Sequence, residues 1–107
     1  MLFEIKNCYT GHVIFSLETS SFKLCVEAAV KSGVSLRGSN LSYSNLSGSN
    51  LSCSNLSGSD LSYSNLSGSH LSGANLRGSD LRTANLSYPP LSGPHLGGPD
   101  PTHSDLS

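Results

Sequence analysis

Four histidines, three cysteines, seven carboxylates and a large number of serines are the side chains of this 107-residue chain that could carry chemistry. A zinc site needs three or four clustered Cys, His or carboxylate ligands. His12, His70, His95 and His103 stand far apart, and Cys8, Cys25 and Cys53 are odd in number and irregularly spaced. Nucleophilic catalysis needs a serine set against a histidine and a carboxylate, or an activated thiol beside a base. No such spacing is evident. Gly-x-Gly-like spacings occur, but inside a repeat and not at the strand–helix junction that cradles a phosphate. The residues therefore read as those of a non-enzyme, with no catalytic residue, no cofactor and no metal site.

The elements that carry these residues are more informative. Six basic side chains oppose seven acidic ones, a net charge of −1. That is neither a basic footprint for nucleic acid nor a strongly acidic surface, so no direct nucleic-acid binding is expected. The opening "MLFEIKNCYTGHVIF" lacks the basic and apolar regions of a secretory signal. No apolar run approaches the ~20 residues that span a bilayer, so no membrane partner is expected. The three cysteines read as free thiols in a reducing cytoplasm.

From Val34 onward serine, glycine, asparagine and leucine dominate, and a leucine returns at every fifth position from Leu36 to Leu106, interrupted only by Pro101. On an α-helix, steps of five place successive leucines ~140° apart. In a strand they alternate between faces. Neither element puts them on one side. A five-residue unit that turns the chain and stacks on its neighbours does, burying a leucine column that no unit could bury alone. The position two before each leucine is small, mostly serine, with Ala74 and Ala84 among the exceptions, and it should also face inward. The position just before the leucine is Asn or Asp, with His70 and His95 as exceptions, and should face outward at a tight turn.

"GANLRGSDLRTANLS" and its neighbours resemble the pentapeptide repeat family, whose pattern is A(D/N)LxG. The resemblance covers residues 34–107. It implies an all-β solenoid, a right-handed quadrilateral β-helix with four pentapeptides, twenty residues, per coil. Two departures stand out. Serine mostly replaces the inward alanine, and each buried hydroxyl must find a backbone acceptor or cost roughly 1–3 kcal/mol. Pro89, Pro94 and Pro99 also occupy the inward small position, where proline donates no ladder hydrogen bond, so an irregular end is expected from about Tyr88.

Residues 1–33 differ in composition and read as a small α+β cap. "LFEIKN" and "HVIFSLE" alternate around "CYTG" as a β-hairpin, with Phe3 and Ile5 expected on one face with Val13, Phe15 and Leu17. "SSFKLCVEAAVKSG" reads as a helix starting at Ser20 or Ser21 and stopped by Gly33, with Phe22, Cys25, Val26 and Ala29 as its apolar stripe. Such a segment would cover leucines and unpaired backbone at the solenoid end. It resembles the N-terminal cap of some bacterial and phage members of the family.

With the twenty-residue coil that the resemblance implies, Asp60, Asp80 and Asp100 form a column beneath Asn40, with Tyr43 and Tyr63 stacked beside it. These five residues are the candidate interaction face. His70 and His95 fall on different faces, and neither stacks over a cysteine or another histidine. The family includes proteins that mimic DNA in the gyrase saddle, and an aspartate column could serve that end. The motif also simply allows Asp there, and carboxylates ~4.8 Å apart are sparse beside one DNA charge per ~1.7 Å. Arg82 offsets part of that charge. The serine ladders raise a water-ordering, ice-binding surface as a remote alternative, for which threonine is scarce. The sequence is read as a scaffold or protein-interaction module with an unknown protein partner. A DNA-mimicking modulator of gyrase or topoisomerase is the alternative. Weak or no self-association is expected through the C-terminal end.

Overall fold

The computed structural model describes residues 1–87. The irregular end expected from about Tyr88, and with it His95, Asp100 and His103, lies outside the described residues. Strands β1 (Leu2–Asn7) and β2 (Val13–Glu18), helix α1 (Phe22–Lys31) and a two-residue strand β3 (Ser39–Asn40) follow in order. They form one sheet in the order β2-β1-β3, antiparallel throughout.

The hairpin turn is built by Asn7, whose Oδ1 accepts the N–H groups of Tyr9 at 2.8 Å and Thr10 at 3.0 Å. Pairing runs Phe3 with Leu17 and Ile5 with Phe15, then jumps to Lys6 with Val13, leaving Ile14 as a bulge. The expectation that Val13 shares the apolar face is thereby corrected. One extra residue reverses the side-chain alternation. Val13 is exposed and Ile14 packs against the core in its place.

Ser21 caps α1, its hydroxyl accepting the Leu24 N–H at 3.2 Å. The helix ends in a Schellman turn: Val34 N–H reaches Ala29 O and Gly33 N–H reaches Val30 O, with Gly33 at φ +77°. Cys25, Val26 and Ala29 are fully buried, whereas Phe22 is half-buried and forms a tilted pair with Phe3 at 6.3 Å.

Beyond the helix the chain winds as a solenoid. Leu41 N–H donates to Asp60 O at 2.8 Å and Asp60 N–H to Ser39 O at 2.8 Å, and this pattern repeats along the column. Asn40 pairs with Asp60, Asn45 with Asn65, Asn50 with His70 and Asn55 with Asn75, all parallel and all twenty residues apart. Four five-residue sides thus complete a coil. Each side carries one bridge and no extended strand, because the turn that follows consumes the other positions. The centre leucines from Leu36 to Leu86 are at most 2% exposed and form one core with Ile5, Cys25, Val26 and Ala29.

In most turns the leucine carbonyl accepts the N–H three residues on, as in Ser49 to Leu46 at 3.1 Å. The third turn residue has φ near +60°, a type II turn that glycine adopts freely. Tyr43, Cys53, Tyr63 and Thr83 occupy that same position at φ 59–60°.

The inward serines solve their burial locally. Ser49, Ser54, Ser59, Ser64, Ser69 and Ser79 donate their hydroxyls to the leucine carbonyl three residues back, at 2.5–2.7 Å. Ser44 does the same to Leu41. Ser39 Oγ is buried without a partner.

The hairpin and helix engage the edge of the first coil on several sides. Cys8 N–H donates to Gly38 O at 2.7 Å, and β1 pairs with β3 through Lys6 and Asn40. Lys23 Nζ donates to Ser47 O at 3.2 Å, and Glu27 Oε2 accepts the Asn50 N–H at 3.0 Å. Ser47 O and Asn50 N are backbone groups that a preceding coil would otherwise pair, since their counterparts Ser67 O and His70 N pair with the coil before them.

Candidate functional site

The outward Asn and Asp side chains are first of all turn-formers. In side after side Oδ1 accepts the N–H two residues on, as in Asn45 to Ser47 at 3.2 Å and Asp60 to Ser62 at 3.0 Å. Asp60 Oδ1 also accepts the Ser62 hydroxyl at 2.6 Å. This is the Asx-turn geometry that short polar side chains favour.

Asp60 and Asp80 stack on each other and on Asn40, as the twenty-residue column requires. They line a recess of about 190 Å³ with Tyr9 and Cys8 of the hairpin turn. Arg82 closes on Asp80 with two hydrogen bonds, Nε to Oδ1 at 2.9 Å and Nη2 to Oδ2 at 2.7 Å. The Arg82 hydrogen bonds hold the Asp80 carboxyl below its ordinary value. The Tyr9 hydroxyl donates to Gly58 O at 3.1 Å. The Cys8 group beside it, with a smaller contribution from Asp60, pushes the Tyr9 phenol up.

Tyr43 and Tyr63 stand one coil apart with rings 4.8 Å from centre to centre and parallel to within 1°. They are 75% and 54% exposed. Glycine at the same turn position on the other sides, as at Gly48 and Gly58, pays no conformational cost; these tyrosines do, at φ near 60°.

Tyr43 also lines an open cavity of about 540 Å³, together with Phe3, Phe22 and Lys23 from the hairpin and helix and Ser44 and Asn45 from the first coil. The sequence reading singled out Tyr43 and Tyr63 but not Phe3, Phe22 or Lys23. The repeat dictates what lies one coil away. Nothing in it dictates which residues of a non-repeating hairpin and helix settle over a given corner.

Cys53 is exposed, Cys25 is buried with its thiol pushed up by that burial, and Cys8 lies between. No group of three or more potential metal ligands occurs among the described residues. None of their helices is long and apolar enough to cross a membrane.

A family model for pentapeptide repeats matches residues 32–68 and 49–87, in eight copies. The chain belongs to the pentapeptide repeat family. Two solved pentapeptide repeat proteins are similar to it. One is Rfr23 from the cyanobacterium Cyanothece 51142, at 28% identity over 64% of this chain and 57% of that one, with a TM-score of 0.49. The other is HetL from the cyanobacterium Nostoc sp. strain PCC 7120, described as involved in heterocyst differentiation regulation. It is 29% identical over 63% of this chain and 38% of that one, with a TM-score of 0.27. The chain therefore spans little more than half the length of the first and about two-fifths of the second. A search of the curated proteins returned no match. Pentapeptide repeat membership suggests a non-enzymatic repeat module and a β-helix type of fold.

Proposed function

We propose that this pentapeptide repeat chain is a non-enzymatic scaffold whose corner at Tyr43 and Tyr63 binds a partner protein. In this reading residues 1–33 cap a right-handed quadrilateral β-helix that begins at Val34. The observation that carries it is the exposed, parallel tyrosine pair. Among the described residues of the solenoid these two are the large exposed apolar side chains, on a surface otherwise made of hydroxyl and amide groups spent on turns. Met1, Leu2, Tyr9, Val13 and Leu24 are also exposed but belong to the hairpin and helix. Large exposed aromatics are the side chains that anchor protein interfaces. Their positive φ adds weight, because the fold itself would be served better by glycine there.

The aspartate column supports DNA mimicry poorly. Asp80 is neutralised by Arg82, and Asp60 is engaged by Ser62. The chain's net charge of −1 offers no extended acidic surface.

The test is capture of partners from a host lysate on the immobilised full chain, beside a Tyr43→Gly/Tyr63→Gly variant. Partners held by the native chain and lost by the variant support the reading. Equal capture by both, or inhibition of gyrase supercoiling by the native chain at stoichiometric levels, overturns it.

A further inference from the structure

The tyrosine stack runs along the solenoid axis, and its two ends differ. Beyond Tyr63 the next residue of the column is Thr83, which has no ring to continue it. Tyr63 covers one face of Tyr43. The cavity beside Tyr43 is lined by first-coil residues and by the hairpin and helix, with nothing from the second coil, so it lies against the other face. It occupies the rung that a preceding coil would have filled. The tilted Phe3–Phe22 pair lines it as well. Three of the chain's seven phenylalanine and tyrosine rings thus face one opening.

The charge at this opening has one sign. Among the described residues, Lys23 is the only charged one lining it. Its ammonium spends one donor on Ser47 O, and an ammonium has three. Ser44 and Asn45 add polar groups beside the ring. At about 540 Å³ the space exceeds one aromatic ring and leaves room for the peptide groups on either side of it.

We infer that this cavity receives an aromatic side chain of a partner polypeptide, with a neighbouring carboxylate held by Lys23. The inserted ring becomes the third rung on the Tyr43–Tyr63 stack, in the opening that Phe22 also lines. The carboxylate meets the two free donors of the Lys23 ammonium, a charge-assisted contact. Offset stacking of this kind adds to the burial of the ring itself. The inference rests on the interaction-module reading and specifies what its partner presents.

The chain has no tryptophan, so the emission of a tryptophan peptide reports its own binding. The probe is the blocked peptide acetyl-Gly-Trp-Glu-Gly-amide, titrated against the full chain by fluorescence and by amide NMR. Its comparators replace Trp by Leu, or Glu by Lys, and free indole-3-acetate is a separate arm. The expected result is that the Trp-Glu peptide binds about fivefold or more tightly than either comparator peptide. Its shifts should gather at Phe22, Lys23, Tyr43 and Ser44. Tyr43→Gly should lose about tenfold in affinity without lowering the melting temperature, since glycine fits φ 59°. Lys23→Met, which keeps the apolar stem, should erase the preference for Glu over Lys.

Undiminished binding by Tyr43→Gly, shifts centred elsewhere, or equal affinity for the Glu and Lys peptides would overturn the inference. Indole-3-acetate binding as tightly as the peptide would also overturn it, in favour of a small-molecule site. If the native chain and Tyr43→Gly capture the same partners from lysate through Tyr63, the module reading stands and this one falls. Selective peptide binding without any captured partner does the reverse.

Discussion

The Ser49 hydroxyl donates to the Leu46 carbonyl at 2.6 Å, the oxygen that already accepts the Ser49 N–H at 3.1 Å. The backbone turn is complete without the hydroxyl, as Ala74 shows by making the same turn to Leu71 at 2.9 Å. The inward serine therefore needs the carbonyl, and the carbonyl does not need the serine. This is why a run of serines can replace alanine without unpairing the core.

A contrast between two serines follows. Ser49→Ala removes a satisfied hydroxyl and leaves no orphan, so it should change stability by no more than about 1 kcal/mol. Ser39 Oγ is buried and unpartnered, so Ser39→Ala should stabilise the chain by roughly 1–2 kcal/mol. Urea midpoints at constant slope would report both. A Ser39→Ala variant less stable than Ser49→Ala would contradict the contrast.

Thr83 holds φ 59° with a β-branched side chain and no ring to stack. Its left-handed conformation costs about 1–2 kcal/mol relative to glycine. Thr83→Gly should therefore raise the unfolding midpoint, by more than Cys53→Gly, whose side chain is unbranched. A lowered midpoint for Thr83→Gly would mean that this side chain makes a contact worth more than its strain.

Asp80 gives a pH signature. Its folded carboxyl lies below the ordinary value because Arg82 bonds to the charged form. A depressed carboxylate contributes stability above its unfolded pKa of about 3.9 and loses it as pH falls through the folded value. Arg82 is more than half exposed, so the contribution should stay under about 1 kcal/mol. Arg82→Ala should move the Asp80 carboxyl titration upward in carbon-13 NMR. The native and variant stabilities should differ at neutral pH and converge once Asp80 is protonated. An unmoved titration would show that the bidentate pair does not persist in solution.

Much of the fold was legible because the repeat is self-consistent. Leucine at every fifth position has one geometric solution, and Leu36 to Leu86 are buried as that solution demands. The twenty-residue coil came from the resemblance, and the pairing of Asn40 with Asp60 displays it. The helix limits were readable from Ser21 and Gly33, two residues with local capping chemistry. Val13 was misplaced because a single bulge at Ile14 changes the alternation, and bulges leave no reliable trace in an apolar run. Of the candidate site, the stacked Tyr43 and Tyr63 were readable once the resemblance supplied the twenty-residue coil. The Phe3, Phe22 and Lys23 side of the cavity was not, because it depends on how a non-repeating segment docks.

That docking supplies the last prediction. The first coil has no predecessor, and the segment before it takes over some of the pairing a predecessor would provide, through the β1–β3 pairing at Asn40, Lys23 Nζ and Glu27 Oε2. The Glu27 contact is exposed, and water can replace it, so Glu27→Ala should cost no more than about 1 kcal/mol. Phe22 is half-buried, so Phe22→Ala should cost roughly 1–3 kcal/mol, less than the 3–5 of a fully enclosed phenylalanine. Removing residues 1–33 is a different matter. It strips β1 from β3 and uncovers Leu36 and Leu41 together with a row of unpaired backbone groups, an edge that invites pairing between chains. The truncated chain should sediment as aggregate at concentrations where Glu27→Ala and Phe22→Ala remain monodisperse. A soluble truncation with an unchanged unfolding midpoint would show that the solenoid closes its own end and that the hairpin and helix serve another purpose.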